Sequence, residues 1–465
     1  MSVSSLGAGA GVLTQTVIDQ LKAADTKAII TPLDDKITLQ KQKDSALSLL
    51  GSLLTTFQAS ANALDDDALY QKRTVSGATS SVSVTANAGV AIQSFSISNT
   101  VLAKKDVQES GSFADTTSTI SSGSGTMKLT VNGTNYDIAY TSSTTLDDLK
   151  TAINNVAGDS VTASTLQVGT GDYRLILTSN ATGANQAISI TDSSGGTLNN
   201  QLLAYDASTN TNGMQTIQAA SDASFKYNGI TLTRSSNTVS DVVTGMTINL
   251  LQDSGSANIS ITQDTASISD AMSSFVTNYN SLTSQITNMT TTDTTAGKVG
   301  IFNGDSTIYG ITRAINQIVT SVNSDGLSLP QFGIDMAQDG TMSFNSSTFI
   351  SKFNENNALS EKFFSGLTTT DTSGNTTSVD GVFTSMNLLM KRYTASSGIM
   401  ETLTTGSATD LKALNDNRTK SQALLDARYA AMAARFSQYD TIMNKLTNSF
   451  SSLLTQINAY SNGSN

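Results

Sequence analysis

The longest hydrophobic pattern in the chain lies near its C-terminus. From Leu425, apolar or aromatic residues recur at Tyr429, Met432, Phe436, Tyr439, Met443, Leu446, Phe450, Leu453, Ile457 and Tyr460. The steps alternate four and three, giving a period of about 3.5 residues, the signature of a coiled-coil seam with a left-handed supercoil. A helix carrying this stripe is about 50 Å long at 1.5 Å per residue, and it cannot bury the stripe alone. A second seam with the same spacing, Leu47, Leu50, Leu54, Phe57, Ala61 and Leu64, is a candidate partner. Upstream, Leu13, Val17, Leu21, Ala24 and Ala28 form a smaller stripe. Pro32 separates two predicted helices, residues 12–30 and 33–66, because proline biases the residue before it away from the helical region. The run Asp65-Asp66-Asp67 reads as a solvated helix stop rather than an acid or metal site, since negative charge is unfavourable at a helix C-terminus.

From about residue 74 to 264 the texture changes to alternation and turn residues. Val82–Val84, Phe95–Ser98, Met127–Val131, Arg174–Leu177, Ile188–Ile190, Phe225–Tyr227, Thr231–Leu232, Met246–Leu250 and Ile259–Ile261 read as strands. Asn132-Gly133 between Met127–Val131 and Tyr136–Tyr140 is a hairpin signal, because both central residues of a type I′ turn need positive φ. Leu146, Leu149, Ala152 and Ile153 predict one short amphipathic helix.

Helical spacing returns after Asp264, at Ile268, Met272, Phe275, Val276, Tyr279, Leu282 and Ile286. It recurs at Ile308, Ile311, Ile315, Ile318, Val319 and Val322. Asp335–Phe344 reads as a hairpin around Gly340, and residues 368–380 read as a loop. The predicted fold class is therefore α+β and multidomain: long coiled-coil-like helices at both termini form a stem, and β-rich domains inserted in the middle form a head. We expect four parts: residues 1–45 with 412–465 as a terminal helical leg, and 46–74 with 265–411 as a helical or mixed stem. Residues 75–114 with 216–264 make a β-rich head domain, and 115–215 a second β-rich domain inserted in it. Two exposed seams demand burial against each other or against other copies, so an oligomer is expected.

Composition narrows the function classes. The chain has 465 residues, no Cys and no His, and a formal net charge of −11. Without these residues there is no disulfide, no thiolate nucleophile, no Ser-His-Asp triad and no His or Cys metal ligand. The acidic balance argues against nucleic-acid binding, which needs a basic face. No stretch is apolar enough to span a membrane, and the N-terminus lacks the basic and apolar regions of an ordinary secretory signal. Asp34-Asp35 and Asp147-Asp148 are acidic pairs of the kind usually solvated on helices, and Asp325-Gly326 and Asp339-Gly340 are turns. No catalytic, metal or cofactor residue is expected, and the protein is not expected to be an enzyme. The candidate functional residues are those of the seams: Leu47, Leu50, Leu54, Phe57 and Leu64 with the series from Leu425 to Ile457.

Several motifs, in order along the chain, resemble the flagellar hook-associated protein 2 family, the flagellar filament cap proteins. They are Ser4-Ser5-Leu6-Gly7 with Gly9 and Gly11; Phe95–Ala103; Leu129–Gly133, Leu146, Leu149, Ile153-Asn154, Val161–Ser164 and Tyr173–Leu175, similar to the flagellin-type insertion repeat; Ser235–Thr238 and Gly245–Leu250; Phe275–Leu282; Gly304–Thr307; and Phe332–Ile334 with Asp339-Gly340. Two places depart from the family pattern: Val12-Leu13-Thr14, where an acidic residue is frequent, and Asn99, at an apolar strand position. The resemblance implies a homo-oligomeric cap at the distal tip of the bacterial flagellum, secreted through the flagellar export apparatus without a cleaved signal and helped by an export chaperone. Flagellin would polymerise beneath it by steric confinement and helix contacts, supporting filament elongation and motility. Two other readings compete: an extracellular adhesin binding host mucin or glycan through the β domains (cell adhesion), and a filament or junction subunit.

Overall fold

The computed structural model describes residues 15–193, 196–206, 208, 212–293, 297–370 and 376–462. The chain folds into two compact units, one from the ends (residues 1–67 and 265–465) and one from the middle (68–264).

In the unit built from the ends, helix Gln15–Ile29 is followed almost directly by helix Thr31–Leu64. Pro32 does not open the gap expected at residues 31–32. It sits in the first turn of the second helix, where its missing N–H costs no hydrogen bond and its fixed φ suits the helix. Helices Thr265–Thr290, Ser306–Val319 and Val382–Thr394 complete a helical core. Its centre is aromatic: Phe57 lies 5.0 Å from Phe275, which stands edge-on to Phe383 at 5.0 Å. Tyr279 is fully buried and donates to Asn316 Oδ1 at 2.8 Å. The hairpin Ile334–Met336 with Met342–Phe344 forms around Gly340, as its sequence predicts. Within the expected loop 368–380, residues 367–370 and 376–379 pair as a short hairpin; residues 371–375 fall outside the described residues.

The Asp65-Asp66-Asp67 run is more than a solvated stop. Asp65 accepts hydrogen bonds from the Thr384 hydroxyl and from Asn387 Nδ2 at 3.2 Å, and Asn387 also donates to Asn62 at 3.0 Å. These polar groups tie the end of Thr31–Leu64 to helix Val382–Thr394. A charge at a helix C-terminus is tolerated here because partners on the next helix supply donors.

In the middle unit, an antiparallel sheet has the spatial order Arg73–Ser76, Ala257–Gln263, Gln93–Val101, Ala223–Tyr227, Ile230–Arg234. A second, three-stranded sheet pairs Met246–Leu250 with Val82–Ala86 and Thr238–Val239. Phe95, Ile97, Phe225, Ile248 and Ile259 fill one core between them. A separate core gathers Met127, Leu129, Leu149, Ile153, Leu175 and Leu177 from the segment between residues 113 and 214. Asn132 and Gly133 both take positive φ, which closes the Gly125–Val131/Thr134–Tyr140 hairpin as expected. Helix Leu146–Ala157 starts on a capping box in which the Thr145 side chain accepts from Asp148 N–H and the Asp148 carboxylate accepts from Thr145 N–H. Those backbone and side-chain donors hold the Asp148 carboxyl below its ordinary range, so this member of the Asp147-Asp148 pair is a cap. Asn99 has φ of 55° where the pairing with Ala223–Tyr227 shifts register. A left-handed bulge suits Asn better than a branched apolar residue.

Candidate functional site: the terminal helix

Helix Ile399–Asn462 runs for 64 residues, about 95 Å at 1.5 Å per residue. It lies antiparallel to the two N-terminal helices, and polar pairs mark the register. Gln40 Nε2 donates to Ser407 Oγ at 2.6 Å, and the Ser407 hydroxyl donates to Asp44. Arg418 meets Asp34 at 2.9 Å, Lys22 meets Asp426 at 2.7 Å, and Arg428 meets Asp25 at 3.3 Å. Tyr429 donates its hydroxyl to Asp25 at 2.8 Å. Burial, reinforced by that carboxylate, pushes the Tyr429 hydroxyl up, while the Lys22 ammonium holds the Asp426 carboxyl down.

The apolar part of this contact is small. Ile18 and Ile30 pack with Leu425 and Tyr429, and Met432 and Phe436 lie half-buried against them. The smaller stripe Val17, Leu21, Ala24 and Ala28 is not the buried face: Leu21 is exposed, and Ile18 and Ile30 are buried in its place. Apolar spacing misses this face because Lys22 and Asp25 occupy it, buried enough to pair and too polar to count. Their matching charges on the terminal helix were the available signal. Leu13, the first member of that stripe, lies outside the described residues, as do Ser4–Gly11 and Val12-Leu13-Thr14.

The two predicted seams do not face each other. Leu47, Leu50, Leu54, Phe57 and Leu64 are buried against Thr265–Thr290 and Val382–Thr394. Those helices lie between the seams in sequence and offer aromatic side chains that cover the Leu47–Leu64 face. The terminal helix reaches this stretch with its first turn, Met400 beside Gly51, and not with its seam. The C-terminal seam divides. Leu425 and Tyr429 are buried, whereas Tyr439, Met443, Leu446, Phe450, Leu453 and Ile457 are 39–64% exposed. Tyr460 has no described side-chain environment. From Ser437 to Asn462 the only charged residues are Asp440 and Lys445, so this is an apolar stripe on an almost uncharged helix.

Comparison with known proteins settles the family. The family model described as flagellar hook-associated protein 2 C-terminus matches residues 220–448, and its N-terminus counterpart matches residues 10–106. The flagellin hook IN motif matches residues 126–181. The chain belongs to the flagellar hook-associated protein 2 family. A relative of that name from Escherichia coli strain K12 is 30% identical over 100% of this chain and 99% of its own length. One from Campylobacter jejuni is 34% identical over 79% of this chain, which spans 65% of that relative. A crystal structure of the flagellar cap protein FliD from Escherichia coli superposes with a TM-score of 0.57 at 28% identity, covering 78% of this chain and 99% of that one. The family is thus that of the structural flagellar cap. Among the described residues no helix is long and apolar enough to cross a membrane, and no group of His, Cys, Asp or Glu is placed to hold a metal ion.

Proposed function

We propose that this chain caps the distal tip of the bacterial flagellar filament, outside the cell, and promotes the insertion and polymerisation of exported flagellin. The observation that carries this reading is the exposed stripe Tyr439–Ile457, borne on a helix whose other half is anchored to the folded unit. A long apolar stripe with almost no charge is expensive in water and needs a protein partner. The partners we propose are further copies of this chain, arranged as a ring, and flagellin itself. Delivery runs through the flagellar export apparatus with an export chaperone. The seam residues Leu425–Ile457 then act through packing, and the Leu47–Leu64 seam acts by holding their support together. The action is steric confinement and helix contact rather than bond chemistry, in keeping with a chain that lacks Cys and His. The four-part division at 1–45/412–465, 46–74/265–411, 75–114/216–264 and 115–215 is the organisation we propose, supported in the middle unit by its two separate cores.

The test replaces Leu446 or Phe450 by Asp in a strain whose own cap gene is deleted. A charge on the stripe blocks its burial by a partner, so filaments should be short or absent and flagellin should accumulate in the medium. The purified variants should keep wild-type circular dichroism. Full-length filaments with either variant would rule out the stripe as the working surface.

A further inference from the structure

The motifs along this chain contain three asparagines with one unusual geometry in common. Asn154 donates from Nδ2 to Ala163 O at 2.8 Å and accepts from Ala163 N–H at 2.8 Å. Asn237 does the same with Ala103, at 2.9 and 2.7 Å, and Asn280 with Met342, at 2.8 and 2.8 Å. In each case one carboxamide serves both backbone groups of one residue, and Ala163, Ala103 and Met342 are all buried.

All three sit where a strand loses its neighbour. Val161–Gly169 is the edge of its four-stranded sheet, and Met342–Phe344 has a single partner strand. Ala103 lies just past Gln93–Val101, beside Lys104, whose backbone exchanges hydrogen bonds with Ser221 on the other side. Strand geometry sends alternate residues' N–H and C=O to opposite sides, so the residue beside a ladder position faces outward. Buried there without partners, its two backbone groups would each cost a lost hydrogen bond. A further strand would satisfy them, and so does a planar carboxamide, which carries one acceptor and a donor on the same short group.

We propose that Asn154, Asn237 and Asn280 are strand surrogates that close these edges against the addition of another strand. This explains a specific residue choice in each motif without any ligand, and it holds whether or not the protein is a filament cap. Asp offers only acceptors when ionised and opposes the backbone carbonyl; Leu offers neither group. On Val161–Gly169 the closure also limits a hazard, because Leu166 and Val168 farther along the same edge are about half exposed. An opened edge flanked by them is a template for pairing with the same edge of a second copy.

The experiment is native-state hydrogen exchange on the full chain carrying Asn154→Asp, Asn154→Leu or Asn280→Asp, with Asn135→Asp as control. Among the described residues, the Asn135 carboxamide accepts from the Thr130 hydroxyl and bridges no backbone pair. The Ala163 amide should exchange at least about tenfold faster in Asn154→Leu, which removes its acceptor. In Asn154→Asp and Asn280→Asp the amide keeps an acceptor, but the carbonyl loses its donor and meets a charge. Local opening and exchange at Ala163 and Met342 should therefore also be faster. The control should leave both amides unchanged. In the Asp variants, protection factors should recover as the carboxylate is protonated and regains a donor; Asn154→Leu should show no such recovery. Light scattering should detect self-association of the Asn154 variants at neutral pH. Asn154 and Asn280 lie in different compact units, so if one variant fails to fold the other decides. Unchanged exchange at Met342 or at Ala163 in a folded Asp variant, or protection indifferent to pH, would overturn the proposal.

Discussion

Leu47–Leu64 and Tyr439–Ile457 are written with the same alternation of three and four, yet the first lies beneath two helices of its own chain and the second faces water. The difference follows from what each can reach. The Thr31–Leu64 helix has Phe275, Tyr279 and Phe383 beside it, supplied by chain that returns after residue 265. The start of the terminal helix packs on Thr31–Leu64 and Val382–Thr394, but its seam from Leu425 meets Gln15–Ile29, where charge pairs take up much of the contact. Identical periodicity therefore gives a buried core face in one place and an exposed apolar stripe in the other. Leu446, Phe450, Leu453 and Ile457 are already about half covered, so burying the rest of each is worth about 1–2 kcal/mol, which is not realised in the single chain.

The sharpest way to break this comparison is to truncate the buried seam. Phe57→Ala should destabilise the helical unit by about 3–5 kcal/mol, as removal of a buried aromatic ring leaves a cavity. Denaturant unfolding would show it, and a loss below 1 kcal/mol would mean that Phe57 is no more a core residue than Phe450.

A second test uses the buried hydroxyl beside that ring. Burial pushes the Tyr279 pKa up to about 12, from an ordinary 10.0. The folded state therefore favours the neutral phenol. This contribution is complete below pH 10 and is lost as pH rises from about 10 to about 12, on the order of 2–3 kcal/mol. Tyr279→Phe should flatten the alkaline limb of the stability curve, at the cost of leaving Asn316 without this donor. An unchanged limb would count against tight burial of this helix face.

The smallest effect belongs to the terminal helix. Arg418 and Asp34 are both partly exposed, so a double-mutant cycle with Ala at each should give a coupling of about 0.2–1 kcal/mol, weaker at high salt. A coupling above 2 kcal/mol would show the terminal helix to be held as firmly as the core.

Much of this protein was legible in its residues. Alternation of two marked the strands, Asn132-Gly133 marked a hairpin, and the series from Leu425 marked a long helix, because these depend on periodicity and on φ preferences that act locally. The buried face of Gln15–Ile29 was not legible, since Lys22 and Asp25 lie on it and only charges some 400 residues away explain their place. The break between two helices at Pro32 was legible, but the spacing could not show that Pro32 would lie inside the first turn of the second helix rather than in a gap before it. The three motif asparagines gave no sign of their work, because their partners are backbone atoms at edges that exist only once the sheets have formed.

The sequence by itself thus determined the elements, the family and the presence of two seams. Which seam would be buried was decided by tertiary structure alone. Periodicity specifies that a face must be covered; only the arrangement of the other helices determines whether the cover comes from the same chain or has to come from outside it.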